Sequence, residues 1–158
     1  MKIAILGQIH EDGLNFLNVE NLEIIHVENF KEDHLISSIS DVAGIVIRTA
    51  NLSANVLSNC KNLKIVSRHG VGYDNVDINY LNQNNIALAI TGKSNAVSVA
   101  EHVMTMMLTL SKNIFASDKL TRNNGFHKKA ELPDFSELYQ KKIVILGFGR
   151  IGRALAQR

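Results

Sequence analysis

Six short apolar runs punctuate the chain: Ile3–Leu6, Glu23–Val27, Gly44–Ile47, Leu63–Ser67, Ile86–Ile90 and Ile143–Leu146. They are rich in Ile and Val, and several are apolar at nearly every position, as strands buried on both faces are. Between them lie Glu11–Leu17, Glu32–Ile39, Ser53–Leu57 and Val76–Asn82, each with apolar residues three or four apart, the helical period. Alternating strands and helices of these lengths leave little choice of architecture. Short connections and right-handed crossovers give a parallel sheet with helices on both faces. Five of the strands fall within residues 1–90, which makes a complete doubly wound α/β domain.

The pattern then changes scale. Ala96, Val99, Ala100, Val103, Met107 and Leu110 form one apolar stripe, so a single long helix is expected over this stretch. Its stripe, with Met107 as an adaptable contact, is expected to join two copies of the chain, the alternative being that it packs wholly on the chain's own first domain. A second helix is expected from Phe115 to Asn124, closed by Gly125. Phe126–Gln140, with the only proline, Pro133, reads as a loop. Lys142–Leu146 reads as the first strand of a second domain. A lone strand–helix pair cannot bury its own faces, so this end is expected to be unstable by itself.

Composition excludes several classes of function. The formal net charge is +2 with no long basic run, so neither nucleic acid nor an anionic membrane is expected as a partner. Ala96–Leu110 is too short and too interrupted by polar residues to span a bilayer. The first residues lack the apolar stretch of a signal peptide. The single cysteine, Cys60, excludes an intrachain disulfide and fits a reducing compartment. These features read as a soluble, cytoplasmic protein, with Cys60 packed at a helix end. Glu101 and His102 are adjacent, not at the spacing of a zinc helix, and no metal site is expected.

Two glycine-rich turns carry the candidate chemistry. Ile143–Leu146 runs into Gly147-Phe148-Gly149-Arg150-Ile151-Gly152 and then Arg153-Ala154-Leu155-Ala156. Strand, G-x-G-x-x-G, helix is the dinucleotide fingerprint. Gly147 allows the tight turn, Gly149 admits a close pyrophosphate, and Gly152 lets the helix pack on the strand. The acidic residue that reads the adenosine ribose should lie ~20 residues further on, beyond Arg158, so NADP stands beside NAD. The second turn, Arg68-His69-Gly70-Val71-Gly72-Tyr73-Asp74-Asn75-Val76-Asp77, follows the Leu63–Ser67 strand directly. Ligands of open parallel sheets bind at that edge. Asp74 and Asn75 can hold such a loop by local bonds, and Asp77 can cap the next helix. The residues alone leave a substrate loop and a plain capped turn both open.

Arg68–Asp77 resembles the substrate loop of the D-isomer-specific 2-hydroxyacid dehydrogenases, the phosphoglycerate dehydrogenase-like branch in particular. Ser94–His102 resembles the start of that family's long connecting helix, Arg122 with Gly125 and Phe126 the end of its next helix, and Gly147–Gly152 its dinucleotide turn. The four segments occur in the family's order. The resemblance implies a flavodoxin-like substrate-binding domain over residues 1–95. It implies connector helices and the start of an NAD-binding Rossmann domain over 96–158. It implies hydride transfer between nicotinamide and a small anionic 2-hydroxy or 2-oxo acid, in a homodimer. On this resemblance Arg48, Thr49, Gly70, Val71 and Gly72 meet the substrate, and Val71, Gly147, Gly149, Arg150, Ile151 and Gly152 meet the cofactor. Arg48 stands equally as a solvated strand-end arginine.

Two departures bear on function. The family often has a proline where this chain reads Thr91-Gly92-Lys93, and Lys93 is expected to add positive charge at the cleft. The family's catalytic arginine, histidine and glutamate match no position here, so none of His10, His26, His34, His69, His102 and His127 is assigned a catalytic role. The 158 residues are therefore expected to be inactive alone. The alternative is a non-catalytic module that binds a small anion or dimerises. A receiver-like domain lacks its acidic cluster after the first strand, where Gly7-Gln8-Ile9 stands.

Overall fold

In a computed structural model the chain is described at residues 1–19, 22–92 and 94–158. It forms two compact units, Met1–Gly92 and Lys93–Arg158.

The first unit is built on five strands: β1 (Lys2–Leu6), β2 (Glu23–Val27), β3 (Gly44–Ile47), β4 (Ile65–Arg68) and β5 (Ala87–Ile90). All neighbours pair in parallel, in the order β2-β1-β3-β4-β5. This is the flavodoxin-like order, with its switch point between β1 and β3. Helices α1 (Glu11–Val19), α2 (Glu32–Ser38), α3 (Ala54–Ser58) and α4 (Ile78–Gln83) make the crossovers. The central strands are apolar on both faces because both faces are covered: Ile3, Ala4, Ile5 and Leu6 of β1, and Ile45 and Ile47 of β3, are all buried. One face packs Ala4, Leu6, Ile45, Ile47 and Val66 against Leu35, Val56, Leu57 and Leu81 of the helices.

The edge strands depart from the expectation of burial on both faces. In β5, Ala87, Ala89 and Ile90 are exposed, because no helix of this unit packs over them. Ile65 of β4, in register with Ala87, is 40% exposed as well.

Local chemistry sets the helix starts. The Ser53 side chain accepts from Val56 N at 3.3 Å, and that of Asp77 accepts from Tyr80 N at 2.9 Å, each satisfying an orphan amide of the first turn. Glu32 Oε1 accepts from Ser53 Oγ and Asn55 Nδ2 at 3.3 and 2.7 Å, tying α2 to α3. Cys60 is buried two residues past α3, and its Sγ lies 3.5 Å from the Val56 carbonyl. Burial pushes the Cys60 thiol up to about 11, which makes it a packed side chain and a poor nucleophile near neutral pH.

The second unit holds α5 (Ala96–Ser111), α6 (Ile114–Arg122), a short 3-10 helix (Phe126–Glu131) and α7 (Arg150–Ala156). Here α7 packs on α5, and Arg158 Nη2 lies 3.2 Å from Glu101 Oε1. The α6 helix ends at Arg122, and Asn124, not the expected Gly125, takes the left-handed turn at φ +53°, while the Gly125 amide returns to the Leu120 carbonyl at 2.9 Å. The segment after it is not loop throughout, since Phe126–Glu131 winds into the 3-10 helix. Ile143–Leu146 is not a strand. No ladder partner exists for it among the described residues, and Val144 and Leu146 are 83% and 93% exposed. An apolar run becomes a strand only when a neighbour takes its amides and carbonyls. The α5 stripe is also uneven. Ala100 is fully buried and Met107 half-buried, whereas Leu110 is 77% exposed. Among the described residues no helix is long and apolar enough to cross a membrane.

Candidate substrate edge and dinucleotide turn

Because every strand of the first unit runs the same way, the ends of β1, β3 and β4 share one edge of the sheet. Gly7 follows β1, Arg48 and Thr49 follow β3, and His69 follows β4. The His69 amide donates to the Ile47 carbonyl at 2.8 Å, placing the glycine loop beside Arg48.

The two candidate substrate segments are fastened together. Leu52 bridges Val76 in parallel, the Leu52 amide donates to the Asn75 carbonyl at 2.8 Å, and the Asp77 amide donates to the Leu52 carbonyl at 3.0 Å. Asn75 Nδ2 donates to the Ala50 carbonyl. The loop after β3 and the loop after β4 therefore hold one another's shape. Asn75 thus reaches across to another loop, where the sequence suggested a bond within its own. This cross-brace had no local signature, because its partner lies 25 positions away.

Gly70 has φ +150°, and a Cβ there would fall on the Arg68 guanidinium. Arg68 folds back over this glycine and donates through Nη1 to the His69 carbonyl, while its Nε is buried without a hydrogen-bond partner. The Gly70 carbonyl accepts from the Thr91 amide at 3.0 Å, anchoring the loop to the end of β5. Gly72 is ordinary by contrast: a Cβ would meet only Asp74 Oδ2, at 3.6 Å, and the residue is exposed, as are Arg48 and Thr49. Val71 is half-exposed. No ion-pair partner meets the Arg48 guanidinium among the described residues. An exposed cation, a hydroxyl and a glycine loop on one edge suit a small carboxylate. Lys93, expected to add charge here, lies outside the described residues.

The three turn glycines of the second unit differ in their surroundings, and Gly152 packs against the turn itself, since the expected strand before it does not form. Gly147 has φ +91°, with open space where a Cβ would stand. A Cβ on Gly149 would also meet nothing within 4 Å, whereas one on Gly152 would lie 2.3 Å from the Gly147 carbonyl oxygen. Only a glycine at 152 lets α7 approach the turn so closely. Gly149 leaves the backbone bare at the start of α7, as a pyrophosphate requires. Arg150 and Ile151 form the first turn of that helix, and both are exposed. These residues fit a dinucleotide. Among the described residues no three His, Cys, Asp or Glu side chains gather as a metal site would need.

Residues 3–154 match the catalytic domain of the D-isomer specific 2-hydroxyacid dehydrogenases. A D-3-phosphoglycerate dehydrogenase of Archaeoglobus fulgidus is 30% identical over 159 aligned positions, covering 100% of this chain and 30% of that protein. A putative 2-hydroxyacid dehydrogenase of Staphylococcus haemolyticus is 33% identical, covering 99% of this chain and 51% of that protein. Among solved structures, an NAD-dependent formate dehydrogenase of Staphylococcus aureus in complex with NAD superposes with a TM-score of 0.82 at 29% identity, over 99% of this chain and 52% of that one. The chain thus spans about half, or less, of the length of these relatives. With the family matched over residues 3–154, the chain belongs to the D-isomer specific 2-hydroxyacid dehydrogenases.

Proposed function

We propose that this chain supplies the substrate edge and the first cofactor turn of an NAD-dependent, phosphoglycerate dehydrogenase-like 2-hydroxyacid dehydrogenase, working as a cytoplasmic homodimer. The observation that carries this reading is the brace of Ala50–Leu52 against Asn75–Asp77, which, with the His69 amide on the Ile47 carbonyl, sets the Arg48–Thr49 and Gly70–Gly72 segments side by side. Arg48 and Thr49 bind the anionic acid, and the amides around Gly70, Val71 and Gly72 face its carboxylate, with Val71 toward the nicotinamide. Gly147, Gly149, Arg150, Ile151 and Gly152 hold the pyrophosphate. A bound nicotinamide supplies or accepts the hydride that interconverts a 2-hydroxy and a 2-oxo acid. NAD is the cofactor in this reading. NADP shares the same turn and is the alternative. The dimer contact lies along α5, at the exposed Met106 and Leu110 rather than at the half-buried Met107.

Two measurements test this reading. Oxalate, an unreactive mimic of the 2-oxo acid head, is expected to bind the chain, and Arg48→Ala to weaken it by roughly tenfold or more, the usual worth of a charge-assisted bond. Equal affinity in the two proteins removes Arg48 from the site. Catalytic acid–base groups lie outside these residues in this reading, so the 158-residue chain with NADH and a panel of 2-oxo acids is expected to show no turnover. A steady rate near ~1 s⁻¹, an ordinary enzyme rate, overturns that assignment.

A further inference from the structure

A cavity of about 590 Å³ opens between α1 and the β2, β1 and β3 side of the sheet. Its volume lies within the roughly 300–1,000 Å³ of small-molecule sites. Ile5, Ile9, Leu14, Val27 and Phe30 line it with apolar side chains, and Gln8 and His26 add polar ones. Gly7 keeps the space open: with φ +97°, a Cβ there would stand 3.6 Å from Phe30 Cζ and 3.9 Å from Arg48 Cβ. The cavity thus runs from an aromatic ring to the arginine at the substrate edge. Arg48 and Thr49 line it too, so it adjoins the glycine loop after β4 through residues common to both. Glu28 lines it as well, placing a carboxylate on its wall.

We infer that this cavity receives the side chain of the 2-oxo acid and selects a branched-alkyl or aryl substituent over a phosphorylated one. The inference rests on the substrate edge proposed above. With the acid head held by Arg48 and the Gly70–Gly72 amides, the substituent lies along the strand ends, over β1. There it meets the apolar side chains of Ile5, Ile9, Leu14, Val27 and Phe30 in a space of the right size. Each methylene buried in such a pocket strengthens binding by roughly fourfold, whereas a dianionic phosphate beside Glu28 is repelled.

Amide-resolved titrations of the 158-residue chain with glyoxylate, phenylpyruvate and 3-phosphohydroxypyruvate test this. Phenylpyruvate is expected to bind at least ~10-fold tighter than either of the others, given the discrimination apolar pockets achieve. It is expected to shift Gly7, Gln8 and Leu14 together with Gly70 and Gly72. Leu14→Gln makes the floor polar, and Ile9→Trp fills the cavity from a loop should the helix variant fail to fold. Either is expected to bring phenylpyruvate and glyoxylate to within ~3-fold of each other. If the acids bind equally and shift only the Gly70–Gly72 loop, the side-chain pocket is wrong and the substrate edge stands. Tightest binding by 3-phosphohydroxypyruvate also overturns the pocket and leaves the edge. If phenylpyruvate shifts the cavity without the loop, the two are separate sites and the inference fails. If no acid shifts either, the inference fails together with the functional reading.

Discussion

Gly70→Val is expected to abolish oxalate binding and to lower the melting temperature of the first unit by about 4–20 °C. The backbone at Gly70 has φ +150°, a conformation that costs a side-chain-bearing residue roughly 1–3 kcal/mol. In a unit of this size ~1 kcal/mol moves the midpoint by roughly 4–8 °C. The new side chain would also displace the Arg68 guanidinium, which lies where the Cβ would be and holds the His69 carbonyl. Loop and strand end would then part from the braced arrangement with residues 50–52. Gly72→Ala is the informative contrast. Its Cβ meets only an ordinary 3.6 Å contact, so stability should move by less than about 0.5 kcal/mol, as at most surface positions. Binding should still weaken, because the methyl stands where the ligand approaches. Calorimetry with oxalate titration separates the two. A Gly70→Val protein with unchanged midpoint and affinity would show that the loop has no need of this glycine.

Leu110→Glu is expected to turn a dimer into a monomer. Leu110 is 77% exposed at the end of α5, with Met106 at 44% one turn before it and Phe115 at 80% on α6. Contiguous apolar exposure of this kind marks an interaction surface. Burying a leucine stabilises by roughly 1.5–3 kcal/mol, and a two-fold contact uses it twice. Removing both leucines therefore weakens association by about 10²–10⁴-fold, before the added charges repel. Met107→Glu acts differently. Met107 is half-buried on the side of α5 that carries buried Ala100, so a charge there should destabilise the second unit itself. Light scattering across concentration reads the first effect and thermal melting the second. Wild-type chain that stays monomeric at high concentration removes the dimer.

Much of this architecture was legible because it depends on local rules. Runs of Ile and Val with helical spacing between them admit few arrangements, and the five-stranded parallel sheet followed. The Asp77 cap and the close approach at Gly152 were readable because partner and signal lie within a few residues. Pairwise, non-local features were not. Whether Ile143–Leu146 becomes a strand depends on a neighbour, and whether Ile65 and Ile90 are buried depends on what covers a sheet edge. The Asn75–Ala50 tie and the arginine folded over Gly70 needed the fold before they could be seen. The cavity by Gly7 joins three strand ends distant in sequence, and nothing local marked it.

A 2-oxo acid held at the edge shared by β3 and β4 is a proposal that amide chemical shifts of the ¹⁵N-labelled chain, titrated with oxalate, test without any need for turnover. The expected result is a saturable set of shifts at Thr49, Gly70, Val71 and Gly72. Shifts confined to Gly147–Gly152, or none on the β3–β4 edge at saturating oxalate, would contradict it.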